Sequence, residues 1–473
     1  MKRRDFLSAA ASAGVTGAWL SRAAQAAEVP CPPPSVSVKG GASVATTCVP
    51  PPPPVAPGSA PAWFVNTPDG TWTSIAGSQG QRIVDVLPAP VPNSGLSGED
   101  PQSLVTAWDG ASVEQVRGEY MFVAGGGHAD YPGNEGYALS LRSATPAWRR
   151  ISDPTPSSRL TALTSTNGVL TYSDGRPRAD HTSGWPTWGD GRIWFPAQSA
   201  ATSGAGSASA GVYSYNRDSL GSALTSMLHT DLGGLVNPWM THGTIPGMEN
   251  ASANGSFTFG CAVFDRVNHY VYGLSGFGYD RTTFYYWRVK TSGSNIGVVD
   301  HCFTAGGGNP FANAMWAACA YDLGIIVMGD GSLNQRILVL DLTKVGQSGD
   351  WTPVTNVSGS GYFGPTMKGC GANYIVANNT VGIGDPFAIG GKIYRLQIPT
   401  KVVNGVKAYN SSGQWAWTSF SPGGQQPVPS TRDVGTFTKF NLIEDMGNGQ
   451  SAFVYCGNIN GPTYVYKIPS AGL

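Results

Sequence analysis

Short apolar runs that end in small or polar residues recur along the chain: Tyr120 to Ala124, Arg192 to Pro196, Tyr270 to Leu274, Ile325 to Gly329, Tyr374 to Ala377 and Ala452 to Cys456. Each is followed by a polar, Gly-rich interval and then by a second run, centred in turn on Leu139, Tyr215, Trp287, Leu340, Leu396 and Tyr466. Successive centres are 76, 72, 53, 56 and 70 residues apart. Short apolar runs bounded by turn residues read as buried strands, and their recurrence reads as six copies of one repeated unit. A third element, a Trp followed three residues later by an apolar residue, stands at Trp148/Ile151, Trp351/Val354 and Trp417/Phe420. It also stands at Trp72/Ile75, ahead of the first full copy.

That early copy decides the architecture. Six units of four strands leave the last unit, ending near Ile468, without its outermost strand, and the segment around Trp72 is a spare strand of that kind. A ring closed by an N-terminal strand accounts for both, and radial closure hides edges that would otherwise aggregate. The chain reads as an all-β protein, a β-propeller with six detectable blades, the first two spacings being long enough to hold a seventh.

Ahead of the propeller the composition changes twice. Lys2, Arg3 and Arg4 precede Asp5-Phe6-Leu7, an Ala/Gly-rich apolar stretch runs to Leu20, Arg22 follows, and Ala24-Gln25-Ala26 forms a small-x-small cleavage site. Residues 1–26 resemble a twin-arginine export signal, which implies a protein exported already folded to the periplasm or beyond. Residues 27–62 carry Pro32 to Pro34 and a run of five prolines at 50–54, a stiff spacer that cannot pack a core. The propeller domain is expected over 63–473. Of seven cysteines, Cys31 and Cys48 lie in the spacer and five in the body, and no Cys-x-x-Cys pair suggests structural zinc. No later stretch is apolar over the ~18 residues that a membrane span requires.

Charge narrows the partners. Charged residues make up 12 % of the 473, Gly numbers 64, and Lys plus Arg balance Asp plus Glu at 29 each. Without a basic excess, nucleic acid is excluded as the expected partner. The mixture suits an exported, turn-rich β protein.

Gly126-Gly127, then Tyr137, then Trp148 resemble the Kelch repeat, in which a double glycine ends the second strand and a Tyr and a Trp mark the third and fourth. Central domains like that of galactose oxidase use the same repeat. Only the first copy carries the motif cleanly, the others shortening to forms such as Gly329-Asp330-Gly331. The resemblance implies the fold; the Tyr and His copper ligands and the Tyr-Cys crosslink of the oxidase find no matching set of motifs on this chain.

The densest cluster of reactive side chains lies in one interval, with His128, Asp130, Tyr131, Asn134 and Glu135 between second and third strands of the first copy. In a propeller such loops open on the same face as those leading into each innermost strand. Arg178 and His181 precede the innermost strand of the second copy, and Arg432 precedes that of the last. Two imidazoles and two guanidiniums are thereby expected around one funnel. Each also has a plain structural reading: a turn cap for His128, a strand-start histidine for His181, and carboxylate pairs with Asp180 and Asp433 for the arginines. His229, His242, His269 and His301 read as structural.

Three functions fit this set. A polysaccharide lyase needs a cation on the uronate carboxylate (Arg178 or Arg432), a base (His128) and an acid (His181 or Tyr131), and imidazole titrates near working pH. This form needs no cofactor. A non-catalytic binder of glycan or protein would use the same face with surface Trp and Tyr. A metal-dependent enzyme would take a divalent ion on His128, Asp130 and His181. The favoured partner is a polar, acidic polysaccharide or oligosaccharide. For the spacer, Cys31 and Cys48 are expected to bridge each other in an oxidising compartment, so peptide mapping without reductant should recover them as one disulfide-linked fragment rather than as two free thiols.

Overall fold

Strand pairing gives six sheets of four or five strands arranged in one ring, with two further two-stranded hairpins, Leu163–Thr166 with Val169–Tyr172 and Thr400–Val403 with Val406–Tyr409, in the connecting links, so the seventh blade is absent among the described residues and the six-bladed reading holds. The computed structural model describes residues 59–473 apart from 94–99, 107–108, 124, 126–130, 161–162, 167–168, 180–181, 199–210, 218–237, 246–259, 276–283, 306–315, 330–336, 348, 360–369, 385–390, 429–435 and 471. The export signal, Cys31, Cys48 and nearly all of the spacer lie outside these residues.

In the first blade the strands are Ser112–Glu114, Glu119–Val123, Gly136–Ser140 and Trp148–Ser152 in spatial order. The second to fifth blades begin on innermost strands Thr187–Gly189, Cys261–Asp265, Trp316–Ala320 and Gly371–Ile375. The sixth is Asn441–Ile443, Ala452–Tyr455 and Thr463–Lys467, completed by Thr71–Ile75 from the other end of the chain. That closing strand runs antiparallel to Thr463–Lys467, Trp72 opposite Tyr466 and Ile75 opposite Thr463. Trp72 is 2 % exposed, its ring 5.5 Å from Tyr466 and 6.4 Å from Phe440. Parallel pairing with Gly423–Gly424 covers its outer edge.

One of the six apolar runs has another role than its pattern suggests. Tyr374 and Ile375 end the innermost strand of the fifth blade, and the second strand is Thr380–Gly384. The innermost strand is itself buried at this end and continues into Val376, so its run looks like a second strand, while two glycines dilute Thr380–Gly384.

Six apolar clusters fill the interfaces between neighbouring blades. The period-two alternation of a strand serves two of them at once: Ile325 and Val327 face the fifth blade, Ile326 and Met328 the third. Strands buried on both faces therefore appear as continuous apolar runs rather than alternating ones.

First-to-second strand turns are short and similarly built. Gln115–Gly118, Arg266–His269, Tyr321–Gly324 and Val376–Asn379 each end on a residue in the left-handed region, at φ 68°, 59°, 68° and 56°. The second blade uses Asp190-Gly191, both left-handed, the two-residue turn whose twist matches antiparallel strands. All these turns leave one face of the ring, called here the turn face. Between-blade and second-to-third connections leave the opposite, funnel face.

If Trp72 holds the ring shut, Trp72→Ala should cost about 3–5 kcal/mol of stability, measured as a lower denaturation midpoint, and deletion of residues 63–80 should give insoluble or protease-sensitive protein. A stable monomer lacking 63–80 would contradict closure by this strand.

Candidate functional site

The loop that joins second and third strands of the first blade folds back on itself. Gly133 permits this, because a Cβ there would lie 2.2 Å from Glu135 Oε2 and 2.5 Å from the Tyr131 ring. Glu135 is fully buried and its Oε1 accepts from Tyr131 Oη at 2.5 Å and Tyr137 Oη at 2.9 Å. Asn134, equally buried, donates to Thr155 Oγ1 at 3.0 Å and to the Pro177 carbonyl at 2.7 Å, and accepts from the Thr155 amide. Thr155 Oγ1 in turn donates to Asp174 Oδ2 at 2.7 Å. These side chains fasten the loop to the connection that leads into the second blade.

Of the residues singled out from sequence, Tyr131 and Arg178 are described; His128, Asp130, His181 and Arg432 lie outside the described residues. Tyr131 is 1 % exposed, with its hydroxyl directed at Glu135. Arg178 is partly exposed and hydrogen-bonds Tyr172, whose hydroxyl donates to the Pro132 carbonyl at 3.2 Å. The fold thus joins Arg178 to the Tyr131 loop through one phenol. Of the other histidines, His242 stacks on Trp194 at 5.1 Å and meets Ser214 Oγ at 2.8 Å, and burial pushes its pKa down to about 4, so it is held neutral. His269 pairs with Asp190 at 2.9 Å on the turn face. Among the described residues no group of three or more His, Cys, Asp or Glu is placed to hold a metal ion.

A second feature lies on the ring axis. The innermost strands of all six blades line a cavity of about 350 Å³. Small side chains such as Ser112, Ala262, Ala317, Ala318 and Ala372 keep it open. At the turn face Arg266 of the third blade meets Glu444 of the sixth, its opposite in the ring, through two hydrogen bonds, one at 3.0 Å and one shorter. The same guanidinium lies 4.2 Å from the centre of the Tyr321 ring. This pair forms a bar across the turn-face mouth. Cys261, Cys319 and Cys370 are also among the lining residues, their side chains packed in the clusters between blades, and burial pushes the thiols of Cys261 and Cys319 upward, so both remain protonated.

Sequence reasoning missed Gln115, Asn373, Arg266 and Glu444. Gln115 of the first blade donates to the Leu442 carbonyl at 2.7 Å and accepts from the Glu444 amide at 2.9 Å. Asn373 of the fifth blade donates to the Phe440 carbonyl and accepts from the Leu442 amide, both at 3.1 Å. Side-chain amides from both neighbours thus clip the innermost strand of the sixth blade. A signal was present: Glu114-Gln115-Val116 and Asp265-Arg266-Val267 repeat one acid-x-Val turn, whose acid accepts from the Val amide at 2.9 Å and 3.0 Å.

No protein-family model matches the chain, and no curated protein matches it. Among solved structures it is similar to Saccharomyces cerevisiae Sqt1, at 9 % identity and TM-score 0.33, covering 76 % of this chain and 70 % of that one. It is also similar to TolB from Acinetobacter baumannii, at 8 % identity and TM-score 0.29, covering 72 % and 78 %. The WD40 β-propeller domain of Doa1 matches at 10 % identity and TM-score 0.29, covering 80 % and 96 %.

Burial raises the Glu135 carboxyl above its ordinary 4.5, outweighing the two phenol hydrogen bonds that favour the anion. The folded state then holds this proton more tightly than the unfolded chain. Its contribution to stability is complete below pH 4.5 and is lost as pH rises through the folded value. Thermal melts across pH should therefore show Glu135→Gln gaining on the wild type above pH 4.5. A pH-independent difference would mean that the carboxyl titrates normally.

Proposed function

We propose that this chain is an exported, Kelch-type propeller that binds a polar, acidic glycan on its funnel face. The observation that carries this reading is the unequal length of the links at the two ends of each innermost strand. First-to-second strand turns such as Asp190-Gly191 and Tyr321–Gly324 are minimal, whereas the between-blade links at the other end of the innermost strands span 153–186, 245–260, 306–315, 354–370 and 421–440; the long turn-face links, 216–238 and 398–414, join third to fourth strands, away from the axis. A rigid scaffold that lengthens its loops around one end of its axis concentrates recognition there. Arg178 lies in the first of the between-blade links, and Arg432 belongs to the last. Guanidinium groups match carboxylates in charge and in paired hydrogen-bond geometry, which is the basis for an acidic ligand.

Binding takes precedence over lyase chemistry in this reading because Tyr131, one of the two acid candidates, is buried against Glu135. Catalysis would then rest on His128 as base and His181 as acid. Export through the twin-arginine route places the face where extracellular or periplasmic glycans are met.

A glycan array with the mature protein should select uronate-bearing chains, and Arg178→Ala should weaken that binding at least about tenfold, with affinity falling as salt is raised. Equal retention of neutral and acidic glycans would overturn the proposal. Under the lyase form, unsaturated uronate products should accumulate. His128→Ala and His181→Ala should each then lower the rate about a hundredfold or more, with the double variant little worse than either. Binding without such product identifies a non-catalytic propeller.

A further inference from the structure

The axial cavity has two unlike halves. Its partly exposed aromatic rings, Trp188, Phe264 and Tyr321, come from the second, third and fourth blades. Its partly exposed amides, Asn373, Asn441 and Gln115, come from the fifth, sixth and first. We propose that this cavity is a binding site for one uncharged pyranose-sized sugar, set between the Trp188 and Phe264 rings on one side and the three amides on the other.

The arrangement on both sides is fixed before any ligand arrives. Gly189 has no room for a Cβ, which would sit 2.7 Å from the Phe264 ring, so Phe264 lies directly against the strand that carries Trp188. Arg266 covers Tyr321 at 4.2 Å, leaving Trp188 and Phe264 as the rings offered to a ligand. Opposite, Gln115 and Asn373 are each held by two hydrogen bonds to the innermost strand of the sixth blade. Asn441 donates to the carbonyls of Ala111 and Thr438 and accepts from the Leu442 amide at 2.8 Å. A primary amide has two donor hydrogens and two acceptor lone pairs, so Gln115 and Asn373 each retain one of both, and Asn441 retains a lone pair.

Charge and shape select the ligand class. Arg266, the one cation of the lining among the described residues, is already paired with Glu444, and Asp190 is hydrogen-bonded by the His269 ring and by Thr291 Oγ1, so an anionic ligand would gain no counterion. Each innermost strand is the edge of its sheet, so its outward amides and carbonyls face the axis around the whole circumference, except where a neighbour takes them. A ring with hydroxyls around its rim and an apolar face answers that pattern; a flat base, polar along one edge, uses less of it. The volume of about 350 Å³ lies within the range of small-molecule sites.

The test is calorimetric titration and saturation-transfer NMR with methyl glucoside, methyl galactoside and methyl mannoside on the intact mature protein. At least one should bind saturably, with a Kd of about 1 mM or tighter. Trp188→Leu should weaken it at least tenfold, and Ala372→Leu, which adds bulk at a residue shared by the cavity lining and the interface of the fourth and fifth blades, should do the same in protein that keeps the wild-type melting temperature. Should Trp188→Leu fail to fold, Ala372→Leu decides alone. Arg178→Ala, which tests the funnel-face reading, should leave this binding unchanged. No binding at about 10 mM of any probe, binding that survives Ala372→Leu, or binding lost in Arg178→Ala would each overturn the cavity site.

Discussion

Everything in this molecule depends on four residue pairs, the antiparallel register that sets Trp72 to Ile75 against Tyr466 to Thr463. A blade buries both of its faces only because it has a neighbour on each side. With the ring open, the sixth blade would lack its outer strand, and the cluster that contains Trp72, Phe440, Phe453 and Tyr466 would face water. The outer pairing is matched near the axis, where Gln115 and Asn373 grip the innermost strand of the same blade from both sides. The last blade to leave the ribosome is thus secured at both radii, by strand pairing outside and by amide hydrogen bonds inside.

Closure makes the two faces unlike. The turn face is drawn tight by left-handed turn residues and barred by Arg266 and Glu444; that pair is exposed enough for its value to be geometric rather than energetic. The funnel face carries the between-blade links, and its described part shows how polar side chains are invested there. Glu135 and Asn134 are fully buried and fix the loop of the first blade to the approach of the second, so the interval richest in polar residues is in part internal scaffolding. Tyr172 connects that scaffolding to Arg178.

The ring was legible because strands buried on two faces leave uninterrupted apolar runs, and because Trp148, Trp351, Trp417 and Trp72 mark the outer strands. The exception, Tyr374, arose where an inner strand was as apolar as its neighbour. The site was less legible for two physical reasons. A carboxylate such as Glu135 has the same one-letter signature whether it meets solvent or two buried phenols. The amides of Gln115 and Asn373 act on a strand more distant in sequence than any local pattern reaches, and only ring closure brings them to Leu442.

The central claim is that the first strand of the propeller is an integral part of its last blade. Amide hydrogen exchange read on 71–75 and 463–467 tests it most directly. The account predicts that both segments are protected to the same degree and lose protection together in Trp72→Ala. Rapid exchange of 71–75 beside a protected 463–467 would contradict it.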